Sequence, residues 1–351
     1  METAARDLGP EPGRRRFHLV ELSDRREACD EVIADLETES GLVRRVALRV
    51  TADGTRDAAR VRAGRDRIYR QASVLGRLAH RNIAAAEDVV RVDGRWAIVG
   101  EAIVGADLDR VCAALDAHGT AFPAPAAFEV GAAVASALDA AWSSIDDTGI
   151  PLGLLHRNLQ PSAIRITADG GVKVTEFCVH PGPADPEGRT EPGGNELYQA
   201  PERLVGTADL SASDVYSAAA IVLELVLGRP FGRTPVLPDP HTAVVNGALS
   251  AARARLRGPP EVVDDALDLL RRALSSKIDQ RPSAADFGLS CDVIARRLAG
   301  ERLEPFARRF VLQVDPILGR TPSPLSGTWL EHGSDDLQVS FARAPNPAAP
   351  P

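Results

Sequence analysis

The sequence predicts an α+β protein with two lobes, a small β-rich lobe with one main helix followed by a larger helical lobe. Early in the chain of 351 residues, short stretches alternate between apolar and polar side chains, as in residues 43–50. From Gly105 onward, apolar residues instead recur at helical spacing over longer stretches. A β-rich beginning and a helical remainder together indicate the two-lobed α+β arrangement.

The small N-terminal lobe is expected to span residues 17–100. Its first half contains the alternating stretches, which predict strands. Residues 58–78 have apolar positions at helical spacing, which predicts the one main helix of this lobe. Residues 89–99 are typical of a β-hairpin, because Asp93-Gly94 is a favoured two-residue turn.

The larger lobe is expected to span residues 105–303. Four long stretches in it show helical periodicity, namely residues 124–145, 212–227, 261–274 and 284–298. The first of these stretches is rich in alanine and amphipathic, and the second is strongly apolar. Both properties predict helices that pack within a helical core.

The two ends of the chain have a different composition. Residues 1–16 are charged and contain glycine and proline, which predicts a flexible leader. Residues 304–341 form an extension of unknown role, in which residues 329–331 and 337–341 are candidates for a short hairpin. The final Ala/Pro-rich segment, residues 342–351, is predicted to be disordered.

Bulk composition limits the classes of function. The net charge of −8 argues against nucleic acid as the main partner. No apolar run is long enough to predict a membrane span, and the N-terminus lacks the apolar region of a signal peptide. The four cysteines are far apart and form no C-x-x-C pair, which favours reduced thiols in a cytoplasmic protein. They are Cys29, Cys112, Cys178 and Cys291.

Three runs in the larger lobe follow a familiar order. They are LLHRNLQPSAI at 154–164, VKVTEFC at 172–178 and YQAPE at 198–202. These runs resemble the sequences H-R-D-L-K-P-x-N, V-K-V-T-D-F-G and Y-x-A-P-E of protein kinases. Matching motifs elsewhere are Val46-Ala47-Leu48-Arg49, His80-Arg81-Asn82-Ile83, residues 101–108, Asp214-Val215-Tyr216-Ser217 and residues 279–283. The chain is therefore similar to bacterial Ser/Thr protein kinases, and the resemblance implies their two-lobed fold.

The resemblance also shows which chemical positions are changed. Phosphoryl transfer in this fold uses a lysine paired with a helix glutamate, a catalytic-loop aspartate and lysine, and metal-binding asparagine and aspartate. The corresponding residues here are Arg49, Gln71, Asn158, Gln160, Ala163 and Glu176. Only Glu176 keeps a carboxylate, so it is the only candidate metal ligand. The glycine that follows it in kinases is replaced by Cys178.

The resemblance places a former nucleotide cleft at Val32, Ala47, Arg49, Glu101 and Arg165. In kinases, a glycine-rich turn between the first two strands lets a phosphate approach the backbone. The corresponding strand pair here, residues 22–34, contains no glycine. Arg165 stands where kinases place an apolar residue beneath the adenine, and a charge there opposes ordinary ATP binding. We expect Arg165 to pair with Glu31 or another acidic loop residue and to fill the cleft.

Residues with structural roles in the family are kept. They are Leu75, His156 and Phe177 of the stack that links the lobes, the Glu202 and Arg281 pair, and Asp214 beneath the catalytic loop. Thr190 is the only serine or threonine in residues 179–199 and is a candidate for phosphorylation.

The combined pattern predicts a pseudokinase, a non-catalytic signalling or scaffolding module that binds an unidentified protein partner. No cofactor is expected, although Mg-ATP binding stays open. Two alternatives remain at this point. One is residual or altered ATP-dependent phosphoryl or nucleotidyl transfer that uses Arg49 and Glu176. The other is a sensor that binds a non-ATP small ligand in the former nucleotide cleft.

Overall fold

The computed structural model divides into two compact units. The first contains residues up to 77, residues 85–103 and residues from 319 onward, and the second contains residues 78–84 and 104–318. The described residues are 16–25, 29–37, 41, 43–51, 75–76, 78–92, 95–145, 148–177, 196–207, 210–314, 329–331 and 339–340. Residues 58–74 of the predicted N-terminal helix and the turn residues Asp93 and Gly94 lie outside them.

The first unit contains a seven-stranded antiparallel sheet. Its strands are β1 (Arg16–Arg25), β2 (Cys29–Glu37), β3 (Val43–Thr51), β4 (Ala86–Val92), β5 (Arg95–Glu101), β9 (Trp329–Glu331) and β10 (Val339–Ser340). Across the sheet their order is β10-β4-β5-β3-β2-β1-β9. The predicted hairpin at 89–99 is confirmed, because β4 and β5 pair from Val92↔Arg95 outward.

Alternation along the strands separates the two faces of this sheet. One face carries a buried apolar cluster of Phe17, Val32, Ala34, Leu36, Val46, Leu48, Val50, Val90, Ala97 and Val99. Val32 lies opposite Leu48, whereas Ile33 lies opposite Ala47. The assignment of Val32 and Ala47 to one surface is therefore wrong, since neighbouring residues of a strand point to opposite faces. Ile33 is the β2 residue that shares the face of Ala47.

The predicted hairpin between residues 329–331 and 337–341 is also wrong. Strand β9 pairs with β1, and β10 pairs with β4, so the two short strands lie at opposite edges of the sheet. Strands β1 and β4 are much longer than β9 and β10. Each short strand therefore pairs with only a part of its longer neighbour. The local pattern indicated strands correctly but could not indicate their partners.

The second unit is mainly helical. Its helices are α1 (Leu108–Ala117), α2 (Ala124–Trp142), α3 (Pro201–Leu204), α4 (Ser211–Leu227), α5 (Pro238–Arg253), α6 (Pro260–Ala273), α7 (Ala284–Arg297) and α8 (Leu303–Val314). A small sheet of β6 (Gly105–Asp107), β7 (Ile164–Thr167) and β8 (Val172–Val174) completes it. The four predicted helices match α2, α4, α6 and α7 to within a few residues.

Helix α4 forms the centre of this unit. All its residues from Ser213 to Leu227 are buried, as the strongly apolar sequence predicted. The helix ends at Gly228, which adopts φ 67°, a left-handed conformation that glycine accommodates without steric cost. Among the described helices, none is both long and apolar enough to cross a membrane.

Helix α8 changes the expected boundary at residue 303. Leu303 is its first residue, and the buried ring of Phe306 packs against Phe122 with ring centroids 4.8 Å apart. The backbone N–H of Leu303 also donates to Glu129 of α2 at 2.6 Å. The first part of the predicted extension, as far as Val314, is therefore a helix of the second unit.

Candidate catalytic-loop site

The backbone of the loop from His156 to Ala163 is held by Asp214, near the start of α4. The two Asp214 carboxylate oxygens accept hydrogen bonds from the amides of His156 at 2.8 Å and Arg157 at 3.0 Å. The Arg203 guanidinium donates to the same carboxylate at 2.7 Å. Burial opposes the charge of Asp214, but Arg203 and the amide donors outweigh that effect and lower its pKa. The loop is thus fixed by a buried, ionised carboxylate.

His156 adds a second fixed point to the loop. Its Nε2 lies 2.8 Å from the Thr175 carbonyl, and its ring packs against Phe177 at a centroid distance of 4.7 Å. Complete burial lowers the pKa of His156 to about 4, so the ring is neutral near pH 7. A neutral ring that donates from Nε2 makes the contact to Thr175 a structural hydrogen bond. Leu75, the third residue of the predicted stack, is buried in the first unit.

Two residues of this region have left-handed backbones. Arg157 has φ 68° and Glu176 has φ 65°, and they are the only described residues other than glycine with positive φ. Such conformations cost of order 1 kcal/mol or more in a residue with a Cβ. They persist only where surrounding contacts determine the backbone. The loop therefore keeps a defined conformation although its side chains have changed.

The side chains at the chemical positions supply little for catalysis. Asn158 is buried and Gln160 is half-buried, and neither amide is a base. Ala163 is fully buried, and its carbonyl accepts from the Thr175 amide at 2.8 Å. Its methyl group offers no ligand atom. Glu176, half-buried, is the remaining carboxylate among these positions.

Mg²⁺ bound with ATP, the group that the kinase resemblance implies, does not fit this donor set. Magnesium needs oxygen ligands in near-octahedral geometry, commonly from carboxylates and phosphates. Ala163 replaces one protein ligand with a methyl group, and within the described residues no three His, Cys, Asp or Glu side chains are grouped around a common point. No catalytic step is therefore assigned to a bound metal or nucleotide.

Arg165 forms a buried ion pair on β7. Its Nε donates to Asp107 Oδ1 of β6 at 2.8 Å, and both side chains are about 95% buried, with exposures of 5% and 4%. The pair is directly cross-strand, because Asp107 and Arg165 are register partners. The acidic partner is thus Asp107, a residue of strand β6, and not the acidic loop residue that was expected.

The other predicted cleft residues lie on the sheet of the first unit. Ala47 faces Gly100 across the strands, and Glu101 faces Val46. Arg49 lies directly opposite the buried Glu31 in the β2–β3 ladder. Side chains in such positions have Cβ atoms ~5 Å apart, which places the Arg49 guanidinium within reach of the Glu31 carboxylate.

The glycine at position 100 leaves space beside Arg49 on this sheet. A Cβ at residue 100 would lie 2.7 Å from the Ala85 carbonyl oxygen, so only glycine fits there. Arg49 Nη2 lies 3.7 Å from the same point. The arginine therefore extends over the space that a larger residue would fill. Gln71, Cys178 and Thr190 lie outside the described residues.

Glu202 and Arg281 form a second buried ion pair in the larger unit. Arg281 donates to both carboxylate oxygens, at 2.6 Å and 2.8 Å, and Ser213 donates to Oε1 at 2.6 Å. The guanidinium also lies over the Tyr216 ring, 5.0 Å from its centroid. Burial opposes the charge of Glu202, but Arg281 and Ser213 outweigh it and lower the pKa.

The sequence interpretation missed several residues of these clusters, including Asp107, Arg203, Ser213 and Gly100. Asp107 lay within a recognised motif, but its pairing depends on the register of β6 and β7. Arg203 directly follows Glu202, yet nothing local indicates that its guanidinium contacts Asp214. A glycine one residue before Glu101 was visible, and only the position of Ala85 shows why it is required.

The fold and the catalytic-loop geometry define a protein of the kinase class. The family model described as "Protein kinase domain" matches residues 43–290, and the chain belongs to this family. Serine/threonine-protein kinase PkaA of Streptomyces coelicolor is 34% identical over 236 residues, which are 65% of this chain and 40% of PkaA. Serine/threonine-protein kinase PknH of Mycobacterium tuberculosis is 29% identical over 64% of this chain and 34% of PknH.

Solved structures agree on the fold. The PknI kinase domain of Mycobacterium tuberculosis aligns with a TM-score of 0.55 and 22% identity, covering 79% of this chain and 95% of that one. The α+β, two-lobed kinase fold predicted from the sequence is thereby confirmed. The chain matches well under half the length of PkaA and PknH, so the similarity concerns one domain of those proteins.

Proposed function

We propose that this protein is a catalytically inactive protein-kinase homologue that acts as a binding module in signalling. The observation that carries the proposal is a catalytic loop with an ordered frame and altered chemistry. Asp214 and His156 hold the loop, while Asn158 occupies the position of the base. Loss of a general base typically reduces a rate by ~10²–10⁴-fold. The relatives named as kinases support membership of the family. The experiment below tests whether this chain is an active or an inactive member.

The metal positions support the same proposal. Ala163 has no side-chain oxygen, and its carbonyl is engaged by Thr175. Glu176 alone would leave a bound cation with a single carboxylate from these positions. Because catalysis in this fold depends on positioned metal ions that neutralise developing phosphoryl charge, this loss compounds the loss of the base.

The nucleotide-facing positions also support it. The resemblance puts Arg165 beneath the adenine, and here that side chain is buried in an ion pair with Asp107. Arg49, at the position of the kinase lysine, lies opposite Glu31. Each arginine thus has an internal carboxylate neighbour, which reduces the need for an anionic ligand to balance its charge.

We further propose a role in the cytoplasm, with a protein partner that contacts the kinase-like domain, residues 17–303, or the segment beyond it. The negative net charge favours a protein partner over nucleic acid. A protein that keeps the backbone geometry of its catalytic loop, but has neither a base nor a complete metal site, is suited to binding a partner protein through its surface. Partner exchange, and not turnover, would then be the regulated event.

The test compares the natural chain with a restored variant. Phosphate transfer from γ-labelled Mg-ATP and thermal stabilisation by millimolar Mg-ATP are measured for both. The restored variant carries Asn158→Asp, Gln160→Lys, Ala163→Asn and Glu176→Asp. An Asn158→Ala variant is the matched control, because it removes the amide without supplying a base.

We expect the natural chain to transfer no more phosphate than the Asn158→Ala control and to show no stabilisation by Mg-ATP. Transfer by the natural chain that is abolished by Glu176→Gln would overturn the proposal in favour of an altered enzyme. Stabilisation by a different small ligand, lost when Asp107 and Arg165 are both replaced by leucine, would instead establish a sensor.

A further inference from the structure

Helix α5 buries only a narrow face against the rest of the second unit. Its buried residues are His241, Val245, Leu249 and Ala252, which pack toward α4 and α6. Most of its other residues are exposed. The larger part of the helix surface is therefore open to contact with another molecule.

The exposed surface of α5 differs in charge from that of its neighbour α6. Within α5, which is described from end to end, the exposed residues include two charges, Asp239 in the first turn and Arg253 in the last. Charged residues are depleted in the centre of protein interfaces, and the middle of the exposed α5 surface lacks them in the same way. In α6, also described throughout, every exposed residue except Pro260 is charged: Glu261, Asp264, Asp265, Asp268, Arg271 and Arg272.

An apolar seam runs along the exposed side of α5. Its residues recur at alternating intervals of three and four positions, the spacing at which one helix packs along another. All of them are exposed, Leu237 to 69% and Val244 to 39%. The seam begins at the residue before the helix and ends at the residue after it, and it consists of Leu237, Pro240, Val244, Gly247, Ala251 and Ala254.

Gly247 lies near the middle of the seam, where glycine costs a helix about 1 kcal/mol relative to alanine. The two other glycines inside described helices lie where helices pack closely. A Cβ at Gly131 of α2 would meet Val222 at 2.6 Å, and one at Gly288 of α7 would meet Ala135 at 3.1 Å. At Gly247, no heavy atom of the described residues outside its own helix backbone and chain neighbours lies within 4 Å of such a Cβ. The contacts within the chain therefore leave room at Gly247 for a helix from another molecule.

The seam is complementary to a reversed copy of itself. A two-fold axis at its centre relates two antiparallel copies of α5, and the order of the seam residues is reversed in the second copy. Leu237 then lies opposite Ala254, and Val244 lies opposite Gly247. Each large apolar side chain faces a small residue, which is the condition for a knob to enter a hole.

The charges at the two ends of α5 favour the antiparallel orientation. In this orientation Asp239 of one copy lies at the level of Arg253 of the other, whereas a parallel pair would bring like charges together. The two helix dipoles are also opposed, which is favourable. Arg253 pairs with Asp264 of its own chain, but the two side chains are 56% and 59% exposed, so Arg253 stays accessible to a second carboxylate.

We propose that α5 is a self-association surface, on which the seam packs against the same seam of a second copy in antiparallel orientation. The helix has 16 residues and is about 24 Å long. A contact of one such helix pair falls at the lower end of interface sizes, below about 1,200 Å² in total. The dimer is therefore weak and dissociates on dilution. This surface is independent of whether the chain transfers phosphate.

The test compares two charge substitutions on α5 in the full-length chain. Val244→Glu places a carboxylate in the seam, opposite Gly247 of the second copy. Asn246→Glu adds the same charge to an exposed position of the same helix outside the seam and is the matched control. Sedimentation velocity over a concentration series that reaches the millimolar range gives the dimer dissociation constant. Urea unfolding verifies that both variants stay folded.

We expect the natural chain and the Asn246→Glu variant to form the same reversible dimer. Val244→Glu should raise the dimer dissociation constant about tenfold or more, because a charge would be buried without a partner. A natural chain that stays monomeric throughout the series would overturn the proposal. Equal dissociation constants for the two glutamate variants, whether raised or unchanged, would overturn the assignment to the seam.

Exchange of the end charges tests the orientation. Asp239→Arg and Arg253→Asp, each measured alone, should weaken the dimer about threefold or more, because like charges then meet at both ends. A mixture of the two variants should associate at least as tightly as the natural chain, since every end pair again has opposite charges. Single variants that dimerise as well as the natural chain would overturn the antiparallel orientation.

Discussion

Replacing Arg165 with leucine is expected to destabilise the protein strongly, although leucine is the residue type that the kinase resemblance places there. Arg165 and Asp107 are both about 95% buried and are joined at 2.8 Å. Removing the arginine leaves the Asp107 carboxylate buried without its main counter-charge. Breaking a buried pair in this way typically costs about 3–5 kcal/mol of unfolding free energy.

The paired replacement should behave differently. In the double variant with Asp107→Leu and Arg165→Leu, neither charge of the pair stays buried, and the two leucines lie directly opposite each other in the β6–β7 ladder. Replacement of a buried ion pair by apolar residues is often neutral or stabilising. The double variant should therefore recover most of the stability that either single variant loses.

Urea unfolding of the natural chain, both single variants and the double variant gives the coupling free energy directly. Thermal unfolding should agree, since about 3–5 kcal/mol corresponds to a decrease in Tm of roughly 6–20 °C for a domain of 150–250 residues. A single Arg165→Leu variant that loses less than about 1 kcal/mol would refute the reasoning, because that value belongs to an exposed pair.

Three further outcomes follow from the second unit. Arg281→Lys should cost nearly as much unfolding free energy as Arg281→Ala, about 3 kcal/mol or more as measured by urea unfolding. The reason is that a lysine cannot bind both Glu202 oxygens as the guanidinium does. A lysine variant as stable as the natural chain would contradict this. Asp214→Asn should raise the hydrogen-exchange rates of the His156 and Arg157 amides, because the carboxylate that accepts from both amides is lost. Unchanged exchange rates of these two amides would show that other contacts hold the loop. The pKa of His156 is lowered to about 4 from an unfolded value of 6.5, so the unfolded chain binds the proton first and stability is lost as pH falls from 6.5 to 4. The total is about 3 kcal/mol, which urea titrations from pH 7 to pH 4 should show, and a His156→Phe variant should lack this component of the pH dependence while keeping that of the carboxylates.

The order of strands and helices was predictable because it depends on local periodicity. Helices α2, α4, α6 and α7 were expected to within a few residues, since apolar spacing over more than ten residues is a strong signal. Helix α5 was not expected, because its buried positions are few: His241, Val245, Leu249 and Ala252. Its apolar stripe is too narrow to stand out from the surrounding sequence.

Part of the candidate site could also be predicted from local sequence, and part of it could not. The sequence motifs located His156, Asn158, Ala163, Glu176 and the other kinase positions, because the motifs are local in sequence. The face of Val32 was assigned wrongly, since a shift of one residue reverses every side chain of a strand. The partner of Arg165 required the register between β6 and β7, to which residues about sixty positions apart contribute.

The sequence by itself determined the family of this protein and which residues stand at the motif positions of that family. Both are properties of residue identity at motif positions, and an asparagine is no base in any fold. Only the tertiary structure decided how the buried charges are compensated and with which strands β9 and β10 pair. Those outcomes depend on contacts between distant segments, whose register is set by burial of the apolar faces and by backbone hydrogen bonding. No local pattern encodes them.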